Sequence, residues 1–192
     1  MKTASITFIS GGVRSGKSSF AERLAIKKAL EMGGSLHYIA TGDPSDDEMK
    51  ERIVRHQKDR NESGSSWKTW EQATDIGSVS SCFNENDVLL LDCLTTLLSN
   101  ELFSHEQDWG NPFFNKEEVF HRIWTGIKAL EKNCHHLVLV SNEVLSEPCY
   151  NSELMITYCQ LIGKLHQQIT SIAKQAYVVE AGIPLLMKGD EG

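Results

Sequence analysis

The chain has 192 residues, 40% of them apolar and 23% charged, and its 19 basic and 26 acidic residues give a formal net charge of -7. This length is read as one domain, residues 1–192, with enough chain to bury roughly two-thirds of its unfolded surface. The acidic balance argues against a nucleic-acid partner, which would favour a basic face, and leaves room for a small anionic substrate held by a local cluster. The five cysteines (82, 93, 134, 149 and 159) are odd in number and contain no C-x-x-C pair. That disfavours a disulfide scaffold or a structural zinc site, and reads as small, buried or half-buried thiols in a reducing compartment. No charged segment followed by an apolar one precedes the first strand, and no apolar run approaches the ~18 residues of a membrane span. The expected setting is therefore the cytoplasm, with no membrane insertion.

In chain order, the apolar run Ile6 to Ser10 predicts a strand that delivers Gly11, Gly12, Val13, Arg14, Ser15, Gly16, Lys17 and Ser18. Two glycines separated by four residues and followed by Lys-Ser form the phosphate-cradling P-loop pattern. The glycines allow a tight turn that brings successive N–H groups onto phosphate oxygens. Lys17 places a point charge on the β- and γ-phosphates, and Ser18 offers a hydroxyl to Mg²⁺. Apolar positions at Phe20, Ala21, Leu24, Ala25 and Ala29 have helical spacing, so a helix N-terminus faces the anion.

Gly33 and Gly34 stop this helix, and Ser35 to Thr41 reads as a second strand. Residues 46–60 predict a helix with acidic residues in its first turn and a thin apolar stripe of Met49, Ile53 and Val54. Such a helix should project from the core, be mobile, or be covered by another subunit. Residues 61–66 are a loop and Trp67 to Gln72 a short extended piece.

Asp87 to Asp92 (DVLLLD) is a continuous apolar run ending in a carboxylate, which predicts a strand buried on both faces. Cys93 to Phe103 continues as helix, 104–115 is an irregular insertion or lid, and a helix from about Lys116 to Asn133 leads to another buried strand ending at Asn142-Glu143. Ser152 to Gln175 reads as a long helix with Met155, Tyr158, Ile162, Leu165, Ile169 and Ile172 packed on the sheet, or as a coiled-coil seam. Ala176 to Gly182 and Ile183 to Lys188 close the chain as two short strands. The expected fold is α/β: a P-loop NTPase (RecA-like) three-layer fold, with a mostly parallel sheet, helices on both faces and a short C-terminal strand pair.

Asp92, ending a buried strand, is placed to hold Mg²⁺ through water or to cap the following helix. Arg52, His56 and Arg60 fall at i, i+4 and i+8 and share one helix face, with a drift of ~40° per step. An imidazole between two guanidiniums suits phosphate binding, and neighbouring positive charge lowers the imidazole pKa and preserves a nucleophilic lone pair. The alternative is a solvated basic helix face.

GGVRSGKS, YIAT (38–41), DDEMKERIVRHQKDR (46–60), Trp67 to Glu71, LLLDCLTTLLSN (89–100) and VLVSNEV (138–144) follow one another in order, within a resemblance that runs over roughly residues 6–189. Together they resemble the bifunctional adenosylcobinamide kinase/adenosylcobinamide-phosphate guanylyltransferase family of cobalamin synthesis. The resemblance implies phosphorylation of adenosylcobinamide by ATP or GTP. It then implies transfer of GMP from GTP through a guanylylated histidine, matched here by His56. It further implies nucleotide or metal contacts at residues 11–18, Thr41, Gly42, Gln57, Lys58, Asp59, Arg60, Glu71 and Asp92, with Ser18 and Asp92 on Mg²⁺, and assembly as a homotrimer. Arg52 and Arg60, with Lys17, would offset charge on the reacting phosphates.

The sequence departs from the family at Leu145 to Tyr150 (LSEPCY), where a glycine-containing stretch is usual, and at His166, where the family has asparagine. Gly163 and Gln167 match. An alternative reading is a relative with one of the two activities, acting on another small substrate. A nucleotide switch or nucleic-acid motor is opposed by the acidic balance and by the absence of an N-K-x-D motif.

Overall fold

The computed structural model describes residues 4–42, 65–103, 115–144 and 153–190. The expected helix over 46–60, which carries Arg52, His56, Gln57, Lys58, Asp59 and Arg60, lies outside the described residues, as do 104–114 and LSEPCY.

The elements in chain order are β1 (Ser5–Gly11), α1 (Lys17–Met32), β2 (Leu36–Ala40), β3 (Trp67–Glu71), a 3-10 turn (Ser80–Cys82), β4 (Val88–Asp92), α2 (Leu94–Phe103), α3 (Lys116–Lys132), β5 (His136–Asn142), α4 (Glu153–Ile172), β6 (Gln175–Glu180) and β7 (Ile183–Lys188). The sheet runs in the order β3-β2-β4-β5-β1-β6-β7. All neighbours are parallel except the β6–β7 pair, which is antiparallel. The Trp67 stretch is thus a true strand at one edge, and the C-terminal pair forms the other.

Alternation along each strand explains why the central ones read as unbroken apolar runs. Val88 and Leu90 of β4 and Val138 and Val140 of β5 face one helix layer. Leu89, Leu91, Leu137 and Leu139 face the other. A strand covered on both sides has no polar face to show. The first layer is α1, whose Ala21, Ala25 and Ala29 are buried on the sheet. On the opposite side α2, α3 and α4 contribute Leu97, Leu98, Phe120, Ile127, Ile162 and Leu165 to the larger core cluster.

Helix α3 starts where Asn115 accepts a hydrogen bond from the Glu117 N–H at 3.1 Å, with Glu117 and Glu118 in the first turn and Lys132 in the last. Such a cap is worth ~1 kcal/mol, and the end charges complement the helix dipole.

Two expectations are corrected, and one choice between readings is decided. Helix α4 stops at Ile172 instead of Gln175. The Lys174 N–H donates to the Ile6 carbonyl at 2.9 Å, so the chain has already joined the sheet by then. Its apolar stripe packs on the core at Tyr158, Ile162, Leu165 and Ile169, which selects the helix-on-sheet reading over a coiled-coil seam. The cysteines are not uniformly buried thiols: Cys93 and Cys134 are buried and free, Cys82 is exposed and free, and Cys159 is disulfide-bonded. Burial pushes the Cys134 thiol up to about 12, which keeps it protonated and inert.

Candidate active site at the C-terminal rim of the sheet

The loop from Gly11 to Ser18 turns from the end of β1 into α1, as its spacing predicts. Gly16 precedes the helix with φ 89°, a left-handed conformation open to glycine, and no side chain caps the helix N-terminus. Gly11 is fixed by crowding, since a Cβ there would collide with the Val179 carbonyl oxygen and come within 2.7 Å of Ser15 Oγ. Arg14 takes φ 60° at the apex. The N–H groups of the first turn are therefore left pointing out of the helix end, where an anion is favoured.

Lys17 is buried, and its Nζ donates to the Gly12 carbonyl at 3.1 Å, which holds the ammonium against the loop. The Gly182 N–H donates to the Ser15 carbonyl at 2.8 Å, so the β6–β7 turn braces the loop from outside. On the other side the Glu143 N–H donates to the Gly11 carbonyl at 2.8 Å. Ser15 Oγ is buried without a hydrogen-bond partner.

Asp92 ends β4, and β5 alone separates that strand from β1. In register Asp92 lies beside Val140 and Gly11 beside Asn142, so the carboxylate sits at the same rim as the loop. Its strand alternation puts it on the α1 face with Tyr38, whose hydroxyl donates to Asp92 Oδ2 at 3.1 Å. That bond orients the carboxylate. Asp92 is not the cap of α2: the Cys93 carbonyl accepts the first helical bond, from the Leu97 N–H at 3.0 Å. Of the two roles read from the sequence, the helix cap therefore falls to Cys93.

Thr41 is fully buried, and its hydroxyl donates to the Cys93 carbonyl and accepts from the Cys93 N–H, each at 2.8 Å. Its carbonyl accepts from Asn100 Nδ2 at 2.8 Å. Thr41 and Asn100 thus lock the ends of β2 and β4 together. Gly42 follows Thr41 at the rim, and Glu71 ends the edge strand β3 in register with Ala40.

Several side chains at this rim make contacts that the sequence reading did not assign. Asn142 Nδ2 donates to Thr95 Oγ1 at 2.9 Å, and Cys93 Sγ lies 3.1 Å from the same oxygen. The Tyr158 hydroxyl donates to the Thr95 carbonyl at 3.1 Å, and burial pushes its pKa up. His166 pairs its Nε2 with Ser141 Oγ at 2.7 Å and lies against Phe8. Burial lowers the His166 pKa, against the pull of Glu143. His166 therefore supports the strand next to the loop. Among the described residues no group of three or more His, Cys, Asp or Glu could hold a metal. No helix among them is long and apolar enough to cross a membrane.

Comparison with known proteins adds the family to this geometry. The family described as cobinamide kinase / cobinamide phosphate guanyltransferase matches residues 7–187. The chain belongs to that family. It is 30% identical over 184 residues to the bifunctional adenosylcobalamin biosynthesis protein CobU of Escherichia coli (strain K12), covering 94% of this chain and 98% of the relative. It is 33% identical over 183 residues to the bifunctional adenosylcobalamin biosynthesis protein CobP of Pseudomonas aeruginosa, covering 95% and 96% of the two chains. Among solved structures, the flagellar accessory protein FlaH of Methanocaldococcus jannaschii superposes with a TM-score of 0.50 at 16% identity, over 99% of this chain and 80% of that one. At that identity the likeness speaks to fold alone, and it agrees with a RecA-like P-loop NTPase architecture ending in an antiparallel strand pair.

Proposed function

We propose that the protein phosphorylates the hydroxyl of the aminopropanol arm of adenosylcobinamide with ATP or GTP. It then transfers GMP from GTP onto that phosphate, giving adenosylcobinamide-GDP and pyrophosphate. The observation that carries this reading is the family match over residues 7–187. The loop from Gly11 to Ser18, folded as a phosphate cradle at the rim that holds Asp92, supports it.

In the first reaction the substrate hydroxyl attacks the γ-phosphorus, and the bond to the nucleoside diphosphate breaks. The loop N–H groups and Lys17 hold the phosphates in line and offset the charge that moves onto the leaving oxygen. In the second, a His56 ring nitrogen attacks the α-phosphorus of GTP, forming an N–P bond as pyrophosphate leaves. A phosphate oxygen of the phosphorylated substrate then attacks that phosphorus, the N–P bond breaks, and the imidazole is regenerated. A group with an unperturbed pKa of ~6.5 can serve both as nucleophile and as leaving group. Arg52 and Arg60, four residues to either side of His56 in the sequence, would balance the α-phosphate charge. Gln57, Lys58, Asp59, Thr41, Gly42 and Glu71 would complete the nucleotide contacts.

The donor set at the rim suits Mg²⁺. A hydroxyl and one carboxylate oriented by Tyr38 match an ion that keeps most of its ligands as water and substrate phosphate. Ser18 and Asp92 would hold it, and it would supply further charge neutralisation at the phosphates. Action as a homotrimer in the cytoplasm completes the proposal. The sparse apolar residues Met49, Ile53 and Val54 between 46 and 60 are compatible with cover by a neighbouring subunit.

The test is incubation with GTP radiolabelled at the α-phosphorus. The wild-type protein is expected to take up an acid-labile, histidine-linked label that His56→Ala lacks. A wild-type protein that takes no label, or an equal label on His56→Ala, would sink the guanylyl-transfer half.

A further inference from the structure

Helix α1 carries a second stripe beside its alanines. Phe20, Arg23, Leu24, Lys27 and Lys28 recur in steps of three, one, three and one, which places them on one flank of the helix. That flank is not simply solvated. It faces Tyr177 of β6 and Pro184 of β7 across a cavity of about 340 Å³. Phe20 and Tyr177 meet edge to face at 5.0 Å between ring centres, so one end of the groove is an aromatic wall. Leu24 and Pro184 extend its apolar lining, and the three cations supply its charge.

The charge is poorly balanced. Arg23 has no ion-pair or hydrogen-bond partner among the described residues. Lys27 and Lys28 share the single carboxylate of Glu31, at 3.9 and 3.1 Å. In a chain of net charge -7, three cations lining a groove with one neighbouring carboxylate form a local positive field that favours an anion. We propose that this groove binds a small phosphate-bearing ligand with a planar ring, a mononucleotide in chemical class, at a site separate from the Gly11–Ser18 loop.

Each feature of the groove restricts that ligand. The rings of Phe20 and Tyr177 favour a flat, polarisable partner. Arg23 and Lys27, one turn apart, can both reach one phosphate. The volume lies near the lower limit of ligand pockets, which suits a mononucleotide and excludes a macrocycle or a polymer. Pro184 belongs to the strand pair whose turn donates from the Gly182 N–H to Ser15, so a ligand here rests on the ribbon that braces the phosphate loop. The inference does not depend on guanylyl transfer.

The experiment uses the full-length protein with carbon-13-labelled leucine methyls. A non-hydrolysable GTP analogue with Mg²⁺ is added at one equivalent per chain to occupy the reaction site without filling the groove, and GMP is titrated in. The Leu24 methyls are expected to shift saturably, with an apparent Kd raised at least about tenfold in Arg23→Glu/Lys27→Glu. Both side chains are exposed, so the variant should keep its melting temperature and its affinity for the GTP analogue. No Leu24 shift up to about 10 mM GMP, or a shift unchanged in the double variant, would overturn the proposal. Inorganic phosphate alone is the control for the ring: binding as tight as that of GMP would overturn the mononucleotide assignment.

Discussion

The two faces of the sheet are built from different side chains. Under α1 the contact is made by Ala21, Ala25 and Ala29 on Val88, Leu90, Val138 and Val140. Under α2, α3 and α4 it is made by leucine, isoleucine and phenylalanine, many of them wholly buried. Alanines on successive turns let α1 lie close to the sheet, and that fixes where its N-terminus, and so Lys17 and Ser18, meet the strand ends. The opposite face buries far more apolar surface and contributes most of the hydrophobic stabilisation. One face positions the chemistry, and the other holds the domain together.

Substitutions on the two faces should therefore fail differently. Leu98→Ala, in the centre of the large cluster, should cost ~2–5 kcal/mol in urea unfolding while folded molecules keep their nucleotide affinity. An equal loss of affinity would erase the distinction between the faces.

The α1 face also buries His136, whose Nε2 lies 3.0 Å from Thr7 Oγ1 and whose pKa is pushed down to about 4, chiefly by burial. The unfolded chain takes up this proton near pH 6.5 and the native one does not. Stability is therefore full above about pH 6.5 and falls as the pH drops toward 4, by up to about 3 kcal/mol. Urea midpoints measured across that window should show a flatter decline in His136→Gln.

Ala25→Leu is the converse of Leu98→Ala. It overfills the close contact, at a cost of ~1–3 kcal/mol, and should weaken nucleotide binding more than Leu98→Ala does, because α1 must lift at the loop. Calorimetric titration of both variants with a GTP analogue makes the comparison direct. The smallest effect is expected for Tyr38→Phe, which removes the hydroxyl from Asp92 at a cost of ~0.5–1.5 kcal/mol. Its signature should be a raised Mg²⁺ requirement in the kinase assay at near-constant melting temperature.

The parts legible in the sequence were those governed by local spacing. Gly11, Gly16 and Lys17 announced the loop because no other residue types satisfy its backbone and charge. The unbroken run Val88 to Leu91 announced a strand covered on both faces. Spacing does not report where a packed stripe ends, so Met155 and Ile172 belong to the apolar pattern of α4 yet are 48% and 40% exposed. Pairings between distant strands were also invisible. Tyr38 with Asp92 and Thr41 with Cys93 join residues that only the sheet order brings together, and Ser141 with His166 joins β5 to the helix packed on it. The cysteine count likewise gave no sign that Cys159 is oxidised.

The most direct test of the central claim is a turnover assay with adenosylcobinamide, ATP, GTP and Mg²⁺ on wild-type and His56→Ala protein. The account predicts that the wild type yields first the phosphorylated and then the GDP-linked corrinoid, and that His56→Ala stops at the phosphate. A wild-type enzyme that never phosphorylates adenosylcobinamide, or a His56→Ala enzyme that still forms the GDP-linked product, would contradict it.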